Sequence, residues 1–305
     1  MKILIVGFGS IGRRHAKIFL SLQFEVWALR RKITSLNSDF NGVKQVTELP
    51  QDIEFSGVVI CNPSSLHFSV LKKLKKDQKI LCEKPLVAVK EDLIRLGSID
   101  HENLSVGYMK RCHPAINLIK QTALSTKLQR LETQWSEYIP FWHPNENYKE
   151  SYVSRKDLGG GVALTLSHDI DLILEILNLE SLEDFRKYHT MKRTAGSLNI
   201  DVDTEYELQG VTVDDVMVRV YLNGYSKTKS QTLTAFFENG QMIIIDFIRN
   251  VVIDGLGNKV IDGFTRQELF EYQAKKWISQ KEPSHNELNR STLILQLIEE
   301  SWEQL

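Results

Sequence analysis

The sequence predicts an α/β protein with an N-terminal doubly wound parallel sheet and a C-terminal α+β domain built on an open, mainly antiparallel sheet. Three observations support this fold class. A short apolar run over residues 2–6 leads directly into a glycine-rich turn over residues 7–12. Short apolar runs then alternate with helical segments up to about residue 115, as in parallel sheets covered on both faces. Beyond that point, longer stretches alternate apolar and polar residues, which is typical of a sheet with one covered face.

The glycine-rich turn, Gly7-Phe8-Gly9-Ser10-Ile11-Gly12, is the most informative motif. Gly7 permits a tight turn, Gly9 lets backbone N–H groups approach a pyrophosphate, and Gly12 lets the following helix pack closely on the strand. A glycine fingerprint alone is a weak signal. Here it stands between a predicted strand and a predicted helix, so we expect residues 7–12, with Ser10 and Ile11 among them, to bind a dinucleotide.

The residues after the second apolar run, Phe24 to Leu29, indicate which dinucleotide is bound. An acidic residue at this place hydrogen-bonds the ribose 2′-hydroxyl of NAD, whereas an arginine accommodates the 2′-phosphate of NADP. Arg30 and Arg31 follow the run directly, about 20 residues after the glycine turn. The sequence therefore favours NADP over NAD, although a basic turn exposed to solvent remains an alternative interpretation.

Three further segments follow predicted strands of the N-terminal domain, which we place at residues 1–115. The strands are predicted at 57–61, 79–82 and 104–108, with helices at about 66–76 and 91–96. Ligands of open parallel sheets bind beyond the carboxyl ends of the strands. We therefore expect a nicotinamide ring to be surrounded by the glycine turn and the segments after these strands, which are Asn62-Pro63 with His67, Glu83-Lys84-Pro85, and Tyr108 to Pro114 with Arg111.

The remaining 116–305 are predicted to form a substrate-binding and oligomerisation domain. Strand-like alternation covers residues 129–139 and recurs over 204–246. A stripe of apolar residues from Val162 to Leu177, preceded by three glycines at 159–161, predicts one long helix. Two more helices are predicted at 265–278 and 288–305, separated by a break at Lys281-Glu282-Pro283-Ser284.

Composition excludes several other classes of function. The 305 residues carry a formal net charge of -1, so no electrostatic footprint for nucleic acid or an anionic membrane is visible. No apolar stretch has the roughly 18 residues of a membrane helix, and no signal-peptide pattern is found, so we expect a cytoplasmic location. Cys61, Cys82 and Cys112 lack metal-ligand spacing and are interpreted as reduced packing residues, and no metal site is expected.

Taken together, these motifs resemble the glucose-fructose oxidoreductase, inositol dehydrogenase and rhizopine catabolism family, abbreviated Gfo/Idh/MocA. The segments that carry the resemblance are Gly7 to Gly12 with His15, Asn62-Pro63 with His67, Glu83-Lys84-Pro85, Gly107 to Pro114, and Gly159 to Asp171. The resemblance implies a Rossmann domain, an open-sheet C-terminal domain, and homodimers or homotetramers formed through that sheet. It also implies NAD(P)-dependent oxidation or reduction of a sugar, cyclitol or nucleotide sugar.

The resemblance assigns catalytic roles to Lys84 and His168. A positioned ammonium at Lys84 lowers the cost of alkoxide character on the reacting oxygen, whereas a lysine snorkelling into solvent is the alternative. An imidazole at His168 can exchange a proton at cellular pH, and Asp171 shares its helical face. A packing histidine is the alternative there. Many family members place an aspartate one turn before this histidine, where this chain has Thr165, so the proton relay is simpler, Asp169 or Asp171 compensates, or catalysis is lost.

A loop over residues 141–156 is a candidate for substrate recognition, because aromatic faces and placed polar groups commonly hold sugars. Packing between domains is an equally good interpretation of any single aromatic residue there. Arg155 and Lys156 can meet a substrate carboxylate or phosphate. The loop resembles a family branch associated with surface-polysaccharide or sialic-acid-like sugar biosynthesis. The substrate contacts expected from the whole chain are Tyr108, Trp142, Tyr148, Tyr152, Arg155 and Asp171.

The sequence thus predicts an NADP-dependent oxidoreductase that transfers hydride between the nicotinamide and a hydroxyl or keto carbon of a sugar or nucleotide sugar. Two alternatives stay open. One is an NADP(H)-binding sensor or scaffold that has lost turnover, which the threonine at position 165 suggests. The other is a lyase or hydrolase that uses NAD only transiently.

Overall fold

A computed structural model describes residues 1–99, 101–142, 147–280 and 286–299. The chain divides into two compact units, each described separately below. The first comprises residues 1–107 together with 270–288, and the second comprises residues 108–269 together with 289–305. The roles expected for the two predicted domains, and the boundary at residue 115, stay predictions.

The first unit contains a parallel sheet of six strands in the order β3-β2-β1-β4-β5-β6. This order reverses direction between β1 and β4, which is the topological switch point where doubly wound sheets bind their ligands. The elements in chain order are β1 (Lys2–Val6), α1 (Ser10–Ser21), β2 (Glu25–Leu29), β3 (Lys44–Val46), β4 (Gly57–Ile60), α2 (His67–Leu71), β5 (Ile80–Cys82), α3 (Lys90–Gly97) and β6 (Leu104–Val106).

The second unit contains an eight-stranded sheet in the order β14-β13-β12-β11-β7-β10-β9-β8. Only the pair of β7 and β10 is parallel among these neighbours, and the other pairs are antiparallel. The elements in chain order are α4 (Pro114–Ser125), β7 (Leu128–Ser136), α5 (Val162–Thr165), α6 (His168–Leu177), β8 (Phe185–Arg193), β9 (Glu205–Thr212), β10 (Met217–Asn223), β11 (Ser230–Phe237), β12 (Met242–Asp246), β13 (Val251–Asp254) and β14 (Lys259–Asp262), followed by the helices α7 (Arg266–Ser279) and α8 (Glu287–Glu299).

Both sheets follow from the apolar patterns of their strands. β4 is buried at all four positions, as expected for a strand covered on both faces. β11 instead alternates, with Gln231, Leu233, Ala235 and Phe237 on the buried face. The predicted fold class, a parallel Rossmann-type sheet plus a mainly antiparallel open sheet, is therefore confirmed.

The C-terminal helix α7 completes the core of the first unit. The indole of Trp277 lies over Gly57 so closely that a Cβ there would meet Cη2 at 2.4 Å. Trp277 Nε1 donates a hydrogen bond to the carbonyl of Ile80 at 3.3 Å, and its ring packs edge-on against Phe19. A tryptophan about 200 residues later in the sequence thus packs on the strands β4 and β5 of the parallel sheet.

Two of the predicted helices differ from those observed. The apolar stripe over 162–177 forms two helices, because Leu166 has φ −100° and ψ 15°, which interrupts the helical ladder between α5 and α6. The single long helix predicted there was wrong. α2 covers only Leu71 and the four residues before it, with turns beyond, whereas a helix was expected up to residue 76. The predicted break at 281–284 and the end of the last helix lie outside the described residues.

Within the described ranges, no helix is long and apolar enough to cross a membrane. In the same part of the chain, no group of three or more His, Cys, Asp or Glu side chains is arranged to hold a metal ion.

Candidate active site

The glycine turn joins β1 to α1 by close backbone contacts. Gly7 has φ +89°, and a Cβ there would lie 2.7 Å from the backbone nitrogen of Asn62. A Cβ on Gly12 would lie 2.1 Å from the carbonyl oxygen of Gly7, so the helix can start here only without a side chain. Around Gly9, in contrast, nothing lies within 4 Å of the Cβ position. The turn therefore packs tightly inward and leaves open space at its central glycine.

The side chain of Arg30 lies against Phe8 of this turn. Its guanidinium carbon lies 5.3 Å from the ring centroid of Phe8, and its Nη1 donates a hydrogen bond to Gln45 at 2.6 Å. Arg13, on the first turn of α1, lies 6.0 Å from the same ring. Arg31 is exposed. Among the described residues, none of these three arginines forms an ion pair with a carboxylate. The end of β2 is thus a positively charged surface next to the glycine turn.

His67 connects two of the segments that follow strands. It is 1% exposed, with Nε2 2.8 Å from the carbonyl of Asn62 and Nδ1 3.0 Å from the carbonyl of Leu86. Burial lowers the pKa of His67, so the ring is neutral near pH 7 and donates one of these two hydrogen bonds. The ring holds loops together and points inward. Its predicted contact with the cofactor remains a prediction.

Glu83 and Lys84 follow β5 in strongly different environments. Glu83 is 9% exposed and accepts a hydrogen bond from Nε2 of His15 at 2.9 Å. A Cβ on Gly107 would meet the carboxyl carbon of Glu83 at 3.0 Å. Lys84 is half-buried, and the Lys84-Pro85 peptide bond is cis. Buried neighbours on both sides therefore fix the backbone that carries Lys84.

The first unit fits a dinucleotide at this edge of its sheet. The space beside Gly9 can admit a pyrophosphate, with the backbone N–H groups at the start of α1 as donors. Oδ1 of Asn62 is buried and has no hydrogen-bond partner among the described residues, so it offers an acceptor to a ligand. The predicted cofactor residues that form this edge are Gly7, Gly9, Ser10, Ile11, Gly12, Asn62, Pro63, Glu83 and Lys84.

The two cysteine thiols nearby, Cys61 and Cys82, show no sign of reactivity. Burial raises the pKa of Cys61 and of Cys82 well above the usual value for a thiol. All three cysteines are free. The thiol form is inert as a nucleophile, in agreement with a packing role.

In the second unit, the segment from Tyr108 to Arg111 lies along the start of α6. Tyr108 Oη is 3.3 Å from Ser167 Oγ, and the ring of Tyr108 packs edge-on against His168, with centroids 5.5 Å apart. Arg111 donates from Nε to both carboxylate oxygens of Asp171, at 3.0 and 2.8 Å. Asp171, which shares a helical face with His168, is therefore paired with Arg111. The expected contact of Arg111 with the cofactor stays a prediction.

The immediate surroundings of His168 are buried. His168 is 6% exposed and is the first residue of α6. Thr165 ends α5 and is 7% exposed. Lys110, which the sequence did not single out, forms an ion pair with Asp169 at 2.6 Å. The signal that could have found Lys110 is the run of two basic residues after Met109, combined with two aspartates on the later helix.

The substrate residues expected in the loop have varied partners. Trp142 donates from Nε1 to the carbonyl of Glu137 at 2.8 Å, and Tyr148 donates to the carbonyl of Leu198 at 3.0 Å. Tyr152 is 37% exposed, and Arg155 pairs with Asp157 on the surface, at 3.0 and 2.6 Å. Residues 143–146 of the loop lie outside the described part of the chain. Tyr152 is thus partly accessible to solvent, and Trp142, Tyr148 and Arg155 each form hydrogen bonds to neighbouring groups.

The doubly wound fold of the first unit and the open space beside Gly9 are typical of dinucleotide-binding oxidoreductases. Residues 1–107 match the Gfo/Idh/MocA family model, described as an oxidoreductase family with an NAD-binding Rossmann fold. The predicted resemblance to this family and the predicted enzyme class are confirmed.

Two relatives and one solved structure are similar to this chain. The uncharacterized oxidoreductase YrbE of Bacillus subtilis is 23% identical over 270 residues, covering 81% of this chain and 67% of YrbE. UDP-N-acetylglucosamine 3-dehydrogenase of Acidithiobacillus ferrooxidans is 28% identical over 130 residues, 40% of this chain and 41% of that protein. Among solved structures, levoglucosan dehydrogenase in complex with NADH and levoglucosan has a TM-score of 0.82 at 15% identity, covering 100% of this chain and 97% of that chain. The structural likeness confirms the fold.

Proposed function

We propose that the protein is an NADP-dependent oxidoreductase that transfers hydride between the nicotinamide and a hydroxyl or keto carbon of a sugar or nucleotide sugar. The observation that carries this proposal is the cradle at the switch point of the parallel sheet. Gly7 packs on Asn62 and Gly107 packs on Glu83, so the segments after β1, β4, β5 and β6 lie side by side, with open space beside Gly9. Relatives named for a nucleotide sugar and for an anhydrosugar support the substrate class.

The preference for NADP over NAD rests on charge at the end of β2. A 2′-phosphate there would meet Arg30, whose orientation is fixed by Gln45 and Phe8, and would lie near Arg13 and Arg31. Guanidinium groups without a carboxylate partner are well suited to a phosphate. The family description and the levoglucosan dehydrogenase complex name NAD or NADH, so the preference needs a direct test.

Lys84 and His168 are the proposed catalytic residues. The nicotinamide, when bound, accepts or supplies the hydride. The ammonium of Lys84 would stabilise negative charge developing on the substrate oxygen, and its backbone is fixed by the buried residues on either side. His168 would take the hydroxyl proton during oxidation or return it during reduction. Both assignments are proposals that rest on the motif resemblance and on these local environments.

Fluorescence titration with NADPH and NADH tests the cofactor. We expect NADPH to bind more tightly to the wild type, and Arg30→Ala to weaken NADPH by about tenfold or more while changing NADH little, since a charge-assisted bond to phosphate is worth about 1.5–3 kcal/mol. Arg186→Ala, an exposed arginine of the second unit, is the matched control. Tighter binding of NADH than of NADPH by the wild type would overturn the NADP preference.

Turnover of UDP-N-acetylglucosamine, levoglucosan and myo-inositol with NADP+ tests the reaction. Lys84→Met and His168→Gln should each lower kcat by about 100-fold or more, with circular dichroism unchanged. Lys73→Met and His189→Gln, both exposed, serve as controls. Wild-type turnover in either catalytic variant would remove that residue from the mechanism. Tight NADPH binding without turnover of a broad sugar panel would favour the sensor alternative.

A further inference from the structure

We infer that Lys110, through its buried ion pair with Asp169, is a positioning residue that fixes the first turn of α6 and with it the direction of the His168 imidazole. The inference rests on the proposed catalytic role of His168. It concerns a lysine that the motif analysis did not assign to any function.

Lys110 is buried among groups that hold its ammonium in one place. Its exposed fraction is 3%, and Nζ lies 2.6 Å from Oδ2 of Asp169, which is fully buried. The same ammonium lies over the ring of Trp135 at 4.4 Å and over that of Phe247 at 4.6 Å. Burial lowers the pKa of Lys110 while Asp169 opposes this change. One carboxylate and two aromatic faces therefore surround a cation that has almost no access to water.

The pair is one of four contacts that three residues of one short segment make with the start of α6 and the residue before it. Tyr108 contacts Ser167 and His168, Lys110 contacts Asp169, and Arg111 contacts Asp171. Successive residues of an α-helix are rotated by about 100° around its axis. Contacts at positions 169 and 171 therefore restrain the rotation of the first turn, and the residue at position 168 must follow it.

The energetics favour a role in orientation over a role in stability. A buried ion pair often contributes little net stability, because desolvation offsets the attraction, yet removal of one partner is strongly destabilising because it leaves an uncompensated buried charge. A well-packed apolar pair could stabilise this region equally well. Lys110 and Asp169 differ from such a pair by being directional: the carboxylate must meet the ammonium, and the helix can start in only one rotation.

α6 offers an internal control at its other end. Glu175 is 7% exposed and forms an ion pair with Arg290 at 2.8 Å, where Arg290 is 2% exposed. Lys120 also approaches Glu175. This second buried pair restrains the same helix seven residues from His168. A purely structural role would therefore be shared by both pairs, whereas positioning of His168 belongs to the first pair alone.

The test compares two double variants of the full chain, Lys110→Met/Asp169→Asn and Arg290→Met/Glu175→Gln, since a single substitution leaves a buried charge and can prevent folding. Amide hydrogen exchange and the kinetics of the NADP-linked reaction are measured for each. We expect exchange over residues 168–171 to rise at least tenfold, and kcat to fall at least tenfold with an unchanged Kd for NADPH, only in the first variant. Lys110→Arg, which keeps the pair, should retain most of kcat.

Three results would overturn the inference. Exchange over residues 168–171 within twofold of wild type would show that the pair does not hold the first turn. Faster exchange with unchanged kcat, or an equal loss of kcat in both double variants, would reduce the pair to a structural role. If the wild type itself turns over none of the probes, the proposed function fails separately, and the exchange comparison still decides whether Lys110 holds this turn.

Discussion

His15 and Glu83 form a buried contact across the first unit, with Nε2 of the imidazole 2.9 Å from Oε1 of the carboxylate. His15 is fully buried on α1, where its ring contacts Phe19 and Phe270. Glu83 directly precedes Lys84. The contact therefore links the helix that follows the glycine turn to the segment that carries the proposed catalytic lysine.

Replacing this histidine should destabilise the fold by leaving a buried carboxylate without its donor. We expect His15→Leu to lower the free energy of unfolding by about 1–3 kcal/mol. Lys17→Leu, on the same helix, removes an ion pair with Asp39 in which both side chains are about half exposed, and it should cost less than about 1 kcal/mol. Urea unfolding of both variants measures the difference. Equal effects would show that the His15 contact contributes no more than a surface pair.

Substitutions at two glycines of the turn should affect cofactor binding and folding separately. Nothing lies within 4 Å of a Cβ on Gly9, whereas a Cβ on Gly12 would overlap the carbonyl of Gly7. Gly9→Ala should therefore leave the unfolding midpoint unchanged and weaken NADPH by about tenfold or more, because the added methyl group occupies the proposed pyrophosphate space. Gly12→Ala should destabilise the apo protein by several kcal/mol, about the range of severe overpacking. Unaltered NADPH affinity in Gly9→Ala would place the pyrophosphate elsewhere.

The pH dependence of stability should include a contribution from His113. Burial, assisted by the nearby charge of Lys110, lowers the pKa of His113 to about 4 from its ordinary 6.5. Its Nδ1 also accepts a hydrogen bond from the backbone of Ala115 at the start of α4, at 3.2 Å. Between about pH 6.5 and pH 4, His113 is protonated in the unfolded chain but neutral in the folded chain. The contribution of His113 to stability is therefore fully present above pH 6.5 and is lost as the pH falls towards about 4.

His113→Asn tests this contribution, because asparagine can cap a helix without titrating. The slope of the unfolding free energy against pH between pH 6 and 4.5 should be smaller in the variant by about 1.4 kcal/mol per pH unit, the value for one proton. Above pH 7 the slopes of variant and wild type should coincide. If the slope between pH 6 and 4.5 is unchanged, His113 takes up its proton equally in both states.

The sequence was most informative where one physical requirement selects one residue type. The glycine turn predicted β1, α1 and the close packing of Gly7 and Gly12 because only glycine fits those contacts. The apolar runs predicted β4 and β5 because a strand covered on both faces must be apolar throughout. The short strands β3 and β14 were missed, since neither contains a continuous apolar run such as those of β4 and β5.

The candidate site was predictable as a set of residues but not as a set of contacts. The sequence placed His67 near the cofactor but did not show that its ring contacts carbonyl groups of two loops. Asp171 was expected beside His168 and binds Arg111, which lies 60 positions away in the sequence. Spacing along one helix shows which side chains share a face, but the partner that another segment supplies depends on tertiary packing. The unbroken stripe over 162–177 likewise gave no sign of the break at Leu166.

We expect position 161, the last of the three glycines before α5, to require glycine because the carboxylate of Asp203 occupies the space of a side chain. Gly161 has φ +100°, and a Cβ there would lie 2.2 Å from Oδ1 of Asp203. Asp203 is buried, and its Oδ2 accepts a hydrogen bond from the backbone of Ala163 at 2.8 Å. Gly161→Ala should therefore combine backbone strain with a clash that pushes Asp203 away from the start of α5. Gly240, with φ +82° and nothing within 4 Å of its Cβ position, shows the effect of positive φ alone.

A double-mutant cycle separates these two costs. Gly240→Ala should cost about 1 kcal/mol, and Gly161→Ala about 3 kcal/mol or more, since strain of about 1–3 kcal/mol is joined by the clash. In an Asp203→Ala background the clash is absent, so Gly161→Ala should cost only the strain, and the coupling energy should reach about 1–2 kcal/mol. Urea unfolding of the four proteins measures it. Costs of Gly161→Ala that are equal in both backgrounds would show that backbone conformation alone, and not Asp203, demands glycine at this position.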